Sequence, residues 1–169
     1  SLLSAVGNKI IKNPQAINQQ WPRQVIEPNK VVSLVHFGRS GTGLLHSLID
    51  AHPEVSALPS IYFSEFFNHS TWEKIVVDGW DGMIDRFIAI YEVLFDASAR
   101  SPIETLTQKY INYLGQKEGM AHLGDQRNEV LRVDKALFRE ELERLMKVHN
   151  HLDALAFFRL IHVAYNKSV

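Results

Sequence analysis

The chain has 169 residues, of which 46% are hydrophobic and 22% are charged, an ordinary composition for one globular core. The chain contains eighteen basic and nineteen acidic residues, and the formal net charge of −1 indicates no preference for nucleic acid or for a membrane surface. The absence of cysteine excludes disulfides, thiolate catalysis and cysteine-zinc sites. It leaves the compartment open, with a cytoplasmic location favoured. No run approaches the ~20 apolar residues that span a bilayer, so no membrane segment is predicted.

Residues 1–30 are predicted to form an N-terminal arm and a lead-in to the main domain, which we place at residues 31–169. Apolar residues recur at near-helical spacing from Leu2 to Ile11, and Asn13-Pro14 is expected to end that helix. The prolines of Trp21-Pro22 and Glu27-Pro28 then predict an extended segment.

The stretch Val31–Val55 predicts a strand, a glycine-rich turn and a helix that begins inside the turn. Five apolar residues predict a strand of the kind that is buried in a parallel sheet: Val31, Val32, Leu34, Val35 and Phe37. Glycines at positions 38, 41 and 43 interrupt this run. Apolar residues at positions 44, 45, 48 and 49 then recur at helical spacing, and Pro53 is expected to stop the helix.

A strand, a glycine turn and a helix N-terminus together predict an anion site. Unpaired backbone N–H groups point outward, the helix dipole favours negative charge, and glycine lets a phosphate approach the backbone closely. Arg39 adds a forked cation, and the Ser40 and Thr42 hydroxyls add donors. The common nucleotide-hydrolase loop is excluded because no Gly-Lys-Ser/Thr occurs, and the glycine spacing does not fit the dinucleotide pattern G-x-G-x-x-G.

This stretch resembles the 5′-phosphosulfate loop of the sulfotransferases. In that family a hydrophobic strand leads into Arg- or Lys-Ser-Gly-Thr-Thr and a leucine-rich helix, which in many carbohydrate and bacterial members closes with Asp-Ala-His-Pro and an acidic residue. The matching residues are Arg39, Ser40, Gly41, Thr42, Leu44, Leu45 and Asp50-Ala51-His52-Pro53-Glu54. Gly43 stands where the family has its second threonine, which removes a hydroxyl but keeps a backbone N–H.

The resemblance implies an α/β fold, a P-loop-like sulfotransferase core with parallel strands and a large helical portion. It implies an enzyme that transfers a sulfuryl group from 3′-phosphoadenosine-5′-phosphosulfate (PAPS) to the hydroxyl of a small-molecule or carbohydrate acceptor. The cofactor would lie against residues Arg39, Ser40, Gly41, Thr42, Gly43 and Leu44, with Arg39 also acting in catalysis. No metal ion is required by this arrangement.

Glu65 is the candidate catalytic base. Val55–Leu58 is predicted to be a second short strand, and an aromatic-rich segment with one carboxylate follows its end. Ligands of doubly wound sheets collect at such strand ends, where Glu65 could take the proton from an attacking hydroxyl. The alternative is structural, since acidic residues are also favoured in the first turn of a helix.

From about residue 64 onward the sequence predicts helices. Ser70 is expected to cap a helix over Thr71–Val77, and a turn over residues 79–82 precedes an apolar stripe from Ile84 to Phe95. Ser101-Pro102-Ile103-Glu104 predicts a further helix start, and residues 119–130 a loop. Asp134 is expected to start a helix that turns Phe138, Leu142, Leu145 and Met146 inward, and Leu152–Tyr165 to form a buried helix.

The residues that hold the 3′-phosphate in the sulfotransferase family find no counterpart, and no strand is predicted after residue 60. We therefore expect the N-terminal half of a longer sulfotransferase, or a shortened relative that is inactive alone. Two alternatives stay open: a kinase or nucleotide hydrolase with a degenerate P-loop, and a non-catalytic helical scaffold.

Among the histidines, His149 and His151 lack a third metal ligand at a recognisable spacing, and His162 is predicted to be a hydrogen-bonded core residue.

Overall fold

Helices dominate the part of the chain that the computed structural model describes, namely residues 11–12, 27–34, 40–50, 52–58, 64–98 and 123–169. These residues form five α-helices, which we number α1 (Thr42–Asp50), α2 (His69–Val76), α3 (Met83–Ile90), α4 (Lys135–Met146) and α5 (Ala154–Asn166). Two short 3₁₀ helices, Ser64–Phe67 and Glu92–Leu94, precede α2 and follow α3. The predicted helices after residue 64 are confirmed for α2 to α5, although the last of them begins at Ala154 and not at Leu152.

Side-chain caps fix the starts of α4 and α5. The carboxylate of Asp134 accepts hydrogen bonds from the backbone N–H groups of Ala136 and Leu137, at 2.8 and 3.0 Å. Asp153 accepts one from Ala156 at 2.7 Å. These bonds satisfy donors that have no partner within a helix, as predicted for Asp134.

The turn between α2 and α3 is built from two glycines and an arginine. Gly79 and Gly82 both have positive φ, which places them in the left-handed region that favours glycine. Arg86 donates from Nε to the Ile75 carbonyl at 2.7 Å and from Nη2 to the Gly79 carbonyl at 3.0 Å, closing the end of α2. Helix α2 begins at His69, two residues before the predicted start at Thr71. Its N-cap is Asn68 and not the predicted Ser70, and the Asn68 side chain makes no capping hydrogen bond.

The core is a cluster of aromatic and aliphatic side chains between the helices. Phe66, Trp72, Phe87, Phe138 and Phe157 are fully buried. The Phe87 ring lies at the centre, with ring centroids 6.3 Å from Phe66, 6.1 Å from Phe138 and 5.9 Å from Phe157. Helices α4 and α5 pack most closely against each other, and Tyr165 of α5 donates a hydrogen bond to the Leu94 carbonyl at 2.5 Å.

The strands differ from the predicted ones. Within the described residues, β1 (Ile11–Lys12) pairs antiparallel with β2 (His151–Leu152), with Ile11 opposite Leu152. Ile11 therefore belongs to a strand and not to the predicted N-terminal helix. Because this pair is antiparallel and two residues long, the described residues do not show the parallel-strand core that the sequence predicted.

Both predicted strands beside the glycine turn are absent where the structure describes them. Residues 31–34 and 55–58 carry no strand hydrogen bonds. Val32 is 81% exposed, and Leu58 is the one buried residue of these segments. An apolar run becomes a strand when another strand pairs with it, and no described segment does so here. Val35–Phe37 and the helix predicted from Ser101 lie outside the described residues.

No helix in the described ranges combines the length and the apolar character that crossing a membrane requires.

Candidate functional site

The glycine turn before α1 has the backbone geometry predicted for it. Gly41 has a φ of +77°, and its carbonyl accepts a hydrogen bond from the N–H of Leu45 at 3.0 Å, which closes the first turn of α1. Gly41 is thus the residue at which the chain turns into the helix. The helix begins at Thr42, inside the turn, as predicted.

The first backbone N–H groups of α1 have no acceptor within the helix itself. The N–H groups of Thr42, Gly43 and Leu44 precede the first intrahelical donor, so they have no acceptor within the helix. A Cβ built on Gly41 would meet no atom within 4 Å. Ser40 and Gly41 are exposed. The turn therefore offers donors, a helix N-terminus and room for an anionic group.

The other predicted loop residues are placed only in part. Thr42 and Gly43 are the first two residues of α1, and Leu44 follows them with a side chain that is 69% exposed. Arg39, predicted both to bind the cofactor and to act in catalysis, lies outside the described residues.

The backbone of Glu65 is placed on a different part of the fold. It belongs to the 3₁₀ helix Ser64–Phe67, which packs against α2 and α5. The Phe67 and Phe158 rings, 5.1 Å apart, form part of that contact. Helix α1 makes no extensive contact with any other helix or strand of the described part. The 3₁₀ helix that contains Glu65 therefore contacts α2 and α5, and it has no extensive contact with α1, the helix that follows the glycine turn.

His162 of α5 connects the segment after α1 to the helical core. Its Nδ1 hydrogen-bonds the Ser56 hydroxyl at 2.9 Å, and its ring lies edge-on to Phe158 with centroids 4.8 Å apart. Burial lowers the pKa of His162 to about 4, and a hydrogen bond with the Ser56 backbone opposes part of that shift. The imidazole is therefore neutral near pH 7. The predicted hydrogen bond is confirmed, whereas the side chain is half-buried and is not part of the core cluster.

Sequence reasoning missed Ser56 as the partner of His162. The two residues are 106 positions apart, and a serine in an irregular segment carries no local signal of its partner. The available signal was the polarity of Arg159 and His162 within an otherwise apolar helix.

Other histidines make individual contacts. His149 Nε2 hydrogen-bonds Glu27 Oε1 at 2.9 Å, which ties the lead-in to the junction between α4 and β2. His52 Nδ1 accepts a hydrogen bond from the N–H of Glu54 at 3.2 Å. In the part of the chain described by the structure, no three histidine, aspartate or glutamate side chains are grouped so as to hold a metal ion.

Comparisons of the chain with protein-family models, with curated proteins and with solved structures find no significant match.

Proposed function

We propose that this protein is a sulfotransferase that uses PAPS and transfers its sulfuryl group to a hydroxyl acceptor, such as a carbohydrate. The observation that supports the proposal best is Gly41. It turns the chain at positive φ into the N-terminus of α1, beside backbone donors that have no acceptor within the helix, and a Cβ at Gly41 would meet no atom within 4 Å. A phosphosulfate carries the negative charge that this turn favours.

In the proposed reaction the sulfur–oxygen bond to the phosphate breaks while a sulfur–oxygen bond to the acceptor hydroxyl forms. The hydroxyl proton passes to a base, for which Glu65 is the candidate, and the phosphate leaves with the bonding electron pair. The N–H groups at Thr42, Gly43 and Leu44, with the Ser40 hydroxyl and Arg39, would stabilise the charge that develops on the oxygens. Loss of one such donor typically costs ~10²–10³ in rate.

The finer parts of the proposal rest on the sequence pattern. They are the parallel-strand core next to the loop, the assignment of Arg39, and the role of Glu65 as base. For Arg39→Ala, the proposal requires weaker cofactor binding together with slower turnover, so an unchanged affinity for the cofactor would contradict it.

The proposal is tested by the thermal stability of the full chain with 3′-phosphoadenosine 5′-phosphate (PAP), compared with ATP and magnesium. A ligand at ~100 times its dissociation constant stabilises a fold by about 2.7 kcal/mol. PAP should raise the melting temperature and ATP with magnesium should not. A rise with ATP and magnesium alone would instead favour the degenerate nucleotide-hydrolase loop.

Two glycine variants make this test specific to the loop. Gly41→Val places a β-branched residue at positive φ and should abolish the PAP shift. Gly79→Val is a matched control, because Gly79 has a φ of +72° and equally open surroundings but lies in the turn after α2. Its backbone strain should lower stability similarly while leaving the PAP shift intact. If PAP stabilises neither the wild-type chain nor the control, the sulfotransferase proposal fails.

The second candidate is a non-catalytic helical scaffold. It is favoured by the core itself, which is built from Leu58, Phe66 and residues of α2 to α5 with their connections, and to which none of the described side chains of α1 contributes. A scaffold predicts no stabilisation by either nucleotide, so the same experiment separates the two.

A further inference from the structure

Helix α5 has two faces of different character. One face is buried and apolar, with Phe157, Leu160, Ile161 and Ala164 fully inside the core. The other face is half-buried and carries Arg159 and His162, which are one turn apart and therefore neighbours on the helix surface. This second face is the one to which Ser56 is hydrogen-bonded.

Arg159 has an unusual environment among the arginines that the structure describes. Its Nε is buried and has no hydrogen-bond partner. This combination of burial and a missing partner is found for Nε and not for the two Nη nitrogens. Arg86 and Arg144, by contrast, donate to carbonyls or to a carboxylate. A buried polar group without a partner is rare in folded proteins and calls for an explanation.

The charge of Arg159 is also uncompensated within the described part of the chain. Arg159 takes part in none of the ion pairs found there. A guanidinium cannot lose its proton in a protein, so partial burial cannot neutralise it. His162, one turn further along α5, is a neutral imidazole, and the Ser56 hydroxyl is hydrogen-bonded to it; these two groups add hydrogen-bonding capacity but no negative charge.

We propose that Arg159, His162 and Ser56 form a binding site for an oxyanion, that is, a sulfate, phosphate or carboxylate group of a small molecule. The forked guanidinium matches the geometry of such groups and binds them through two parallel hydrogen bonds. The anion would supply the missing charge and the missing acceptor at Arg159. The proposal rests on α5 and Ser56 and does not depend on the glycine turn.

The test follows the Arg159 side chain directly in the full-length chain with ¹⁵N-labelled arginine. The Nε–H resonance of Arg159 is identified by its loss in Arg159→Lys, which keeps the charge and the aliphatic stem. Sodium sulfate should move this resonance in a saturable way, while sodium chloride at the same ionic strength should not. Parallel titrations with inorganic phosphate and with acetate distinguish the oxyanion classes. A resonance that none of the three anions moves would overturn the proposal.

A second variant tests the site through His162. Sulfate should shift the imidazole resonances of His162 in the wild-type chain, and Arg159→Gln should weaken the affinity measured there about tenfold or more, the loss typical of a hydrogen bond to a charged group. Arg132→Gln removes an exposed arginine, 3.9 Å from Asp96, as a matched control and should leave the affinity unchanged. Equal affinities in the wild-type chain and Arg159→Gln would contradict the proposal.

The outcome is separable from that of the sulfotransferase proposal. Gly41→Val should lose the PAP shift and keep the sulfate response of Arg159. A chain that responds to PAP but shows no sulfate response at Arg159 refutes the oxyanion site alone. A chain with the opposite behaviour refutes the sulfotransferase assignment alone.

Discussion

The carboxylates of Asp134 and Asp153 each complete the first turn of a helix. Asp134 accepts two backbone hydrogen bonds and Asp153 accepts one. Both helices supply the largest part of the packed core, so a residue at a helix end affects the stability of the whole fold.

We expect Asp134→Ala to lower the free energy of unfolding by about 1 kcal/mol, because two backbone donors lose their acceptor. Urea unfolding followed by circular dichroism measures this change, with the m-value unaltered. Glu140→Ala, at an exposed position of the same helix, is the control and should change stability by less than about 0.5 kcal/mol. Equal effects of the two substitutions would show that the cap contributes nothing.

A second residue-scale prediction concerns Glu141, whose carboxylate receives hydrogen bonds from Arg144, at 2.9 Å from Nε, and from Lys167. The Arg144 bond is the main cause that lowers the pKa of Glu141 to about 2, burial opposes it, and the Lys167 bond adds to it. A carboxyl with a depressed folded-state pKa stabilises the fold above its unfolded pKa, and this contribution is lost as the pH falls from about 4.5 to about 2.

The stability difference between the wild-type chain and Glu141→Gln should therefore be about 1 kcal/mol at pH 7, a value discounted for the solvent exposure of the two cations. It should shrink as the pH falls from 5 toward 2. Urea unfolding of both chains at several pH values measures it. A difference that is independent of pH would contradict the ion-pair explanation.

At the scale of the element, α4 stabilises the fold through the residues of its inner face. Phe138 is fully buried, with ring centroids 4.7 Å from Phe95 and 6.4 Å from Tyr165. The neighbouring Leu137 is 42% exposed on the same helix.

Phe138→Ala should cost about 3–5 kcal/mol, because it removes buried apolar surface and leaves a cavity among the rings. Leu137→Ala is its matched control and should cost less than about 0.5 kcal/mol. Chemical unfolding of the two variants measures both values. Comparable losses would mean that the Phe138 side chain is not packed as the structure places it.

The sequence predicted those elements whose signals are local. The start of α4 follows from Asp134, and its inner face follows from the spacing of Phe138, Leu142, Leu145 and Met146, all of which are buried. The apolar stripe from Ile84 to Phe95 is likewise confirmed. Capping and helical periodicity act over a few residues, so one sequence contains them in full.

Features that depend on distant partners could not be predicted in this way. Ile11 pairs with Leu152, and Ser56 bonds with His162, across most of the chain. The run from Val31 has the composition of a buried strand, yet Val31, Val32 and Leu34 are exposed where the structure describes them. Composition shows that a segment can be buried, whereas burial itself depends on another segment that covers it. For the candidate site, the glycine turn was predictable, and the half-buried face of α5 was not.

Over the whole molecule, the described residues divide into a packed helical core and a less covered segment around α1. Leu44 and Leu48 are each 69% exposed, whereas Leu142 and Leu160 are fully buried. Leu58 is buried in the core, and the Ser56–His162 hydrogen bond joins the same segment to α5. Because the free energy of local opening follows the number of buried apolar contacts, the two parts should differ in local stability.

Native-state hydrogen exchange tests this difference. Amides of α4 and α5 should exchange with a free energy close to that of global unfolding, and amides of α1 with a value several kcal/mol lower, because few buried side chains hold that helix. If the glycine turn binds PAP, saturating PAP should raise the protection of α1 selectively, and Gly41→Val should remove that gain. Exchange of α1 as slow as that of α5 without ligand would contradict the division into two parts. A ligand effect that appears equally in Gly41→Val would place the nucleotide elsewhere than at the N-terminus of α1.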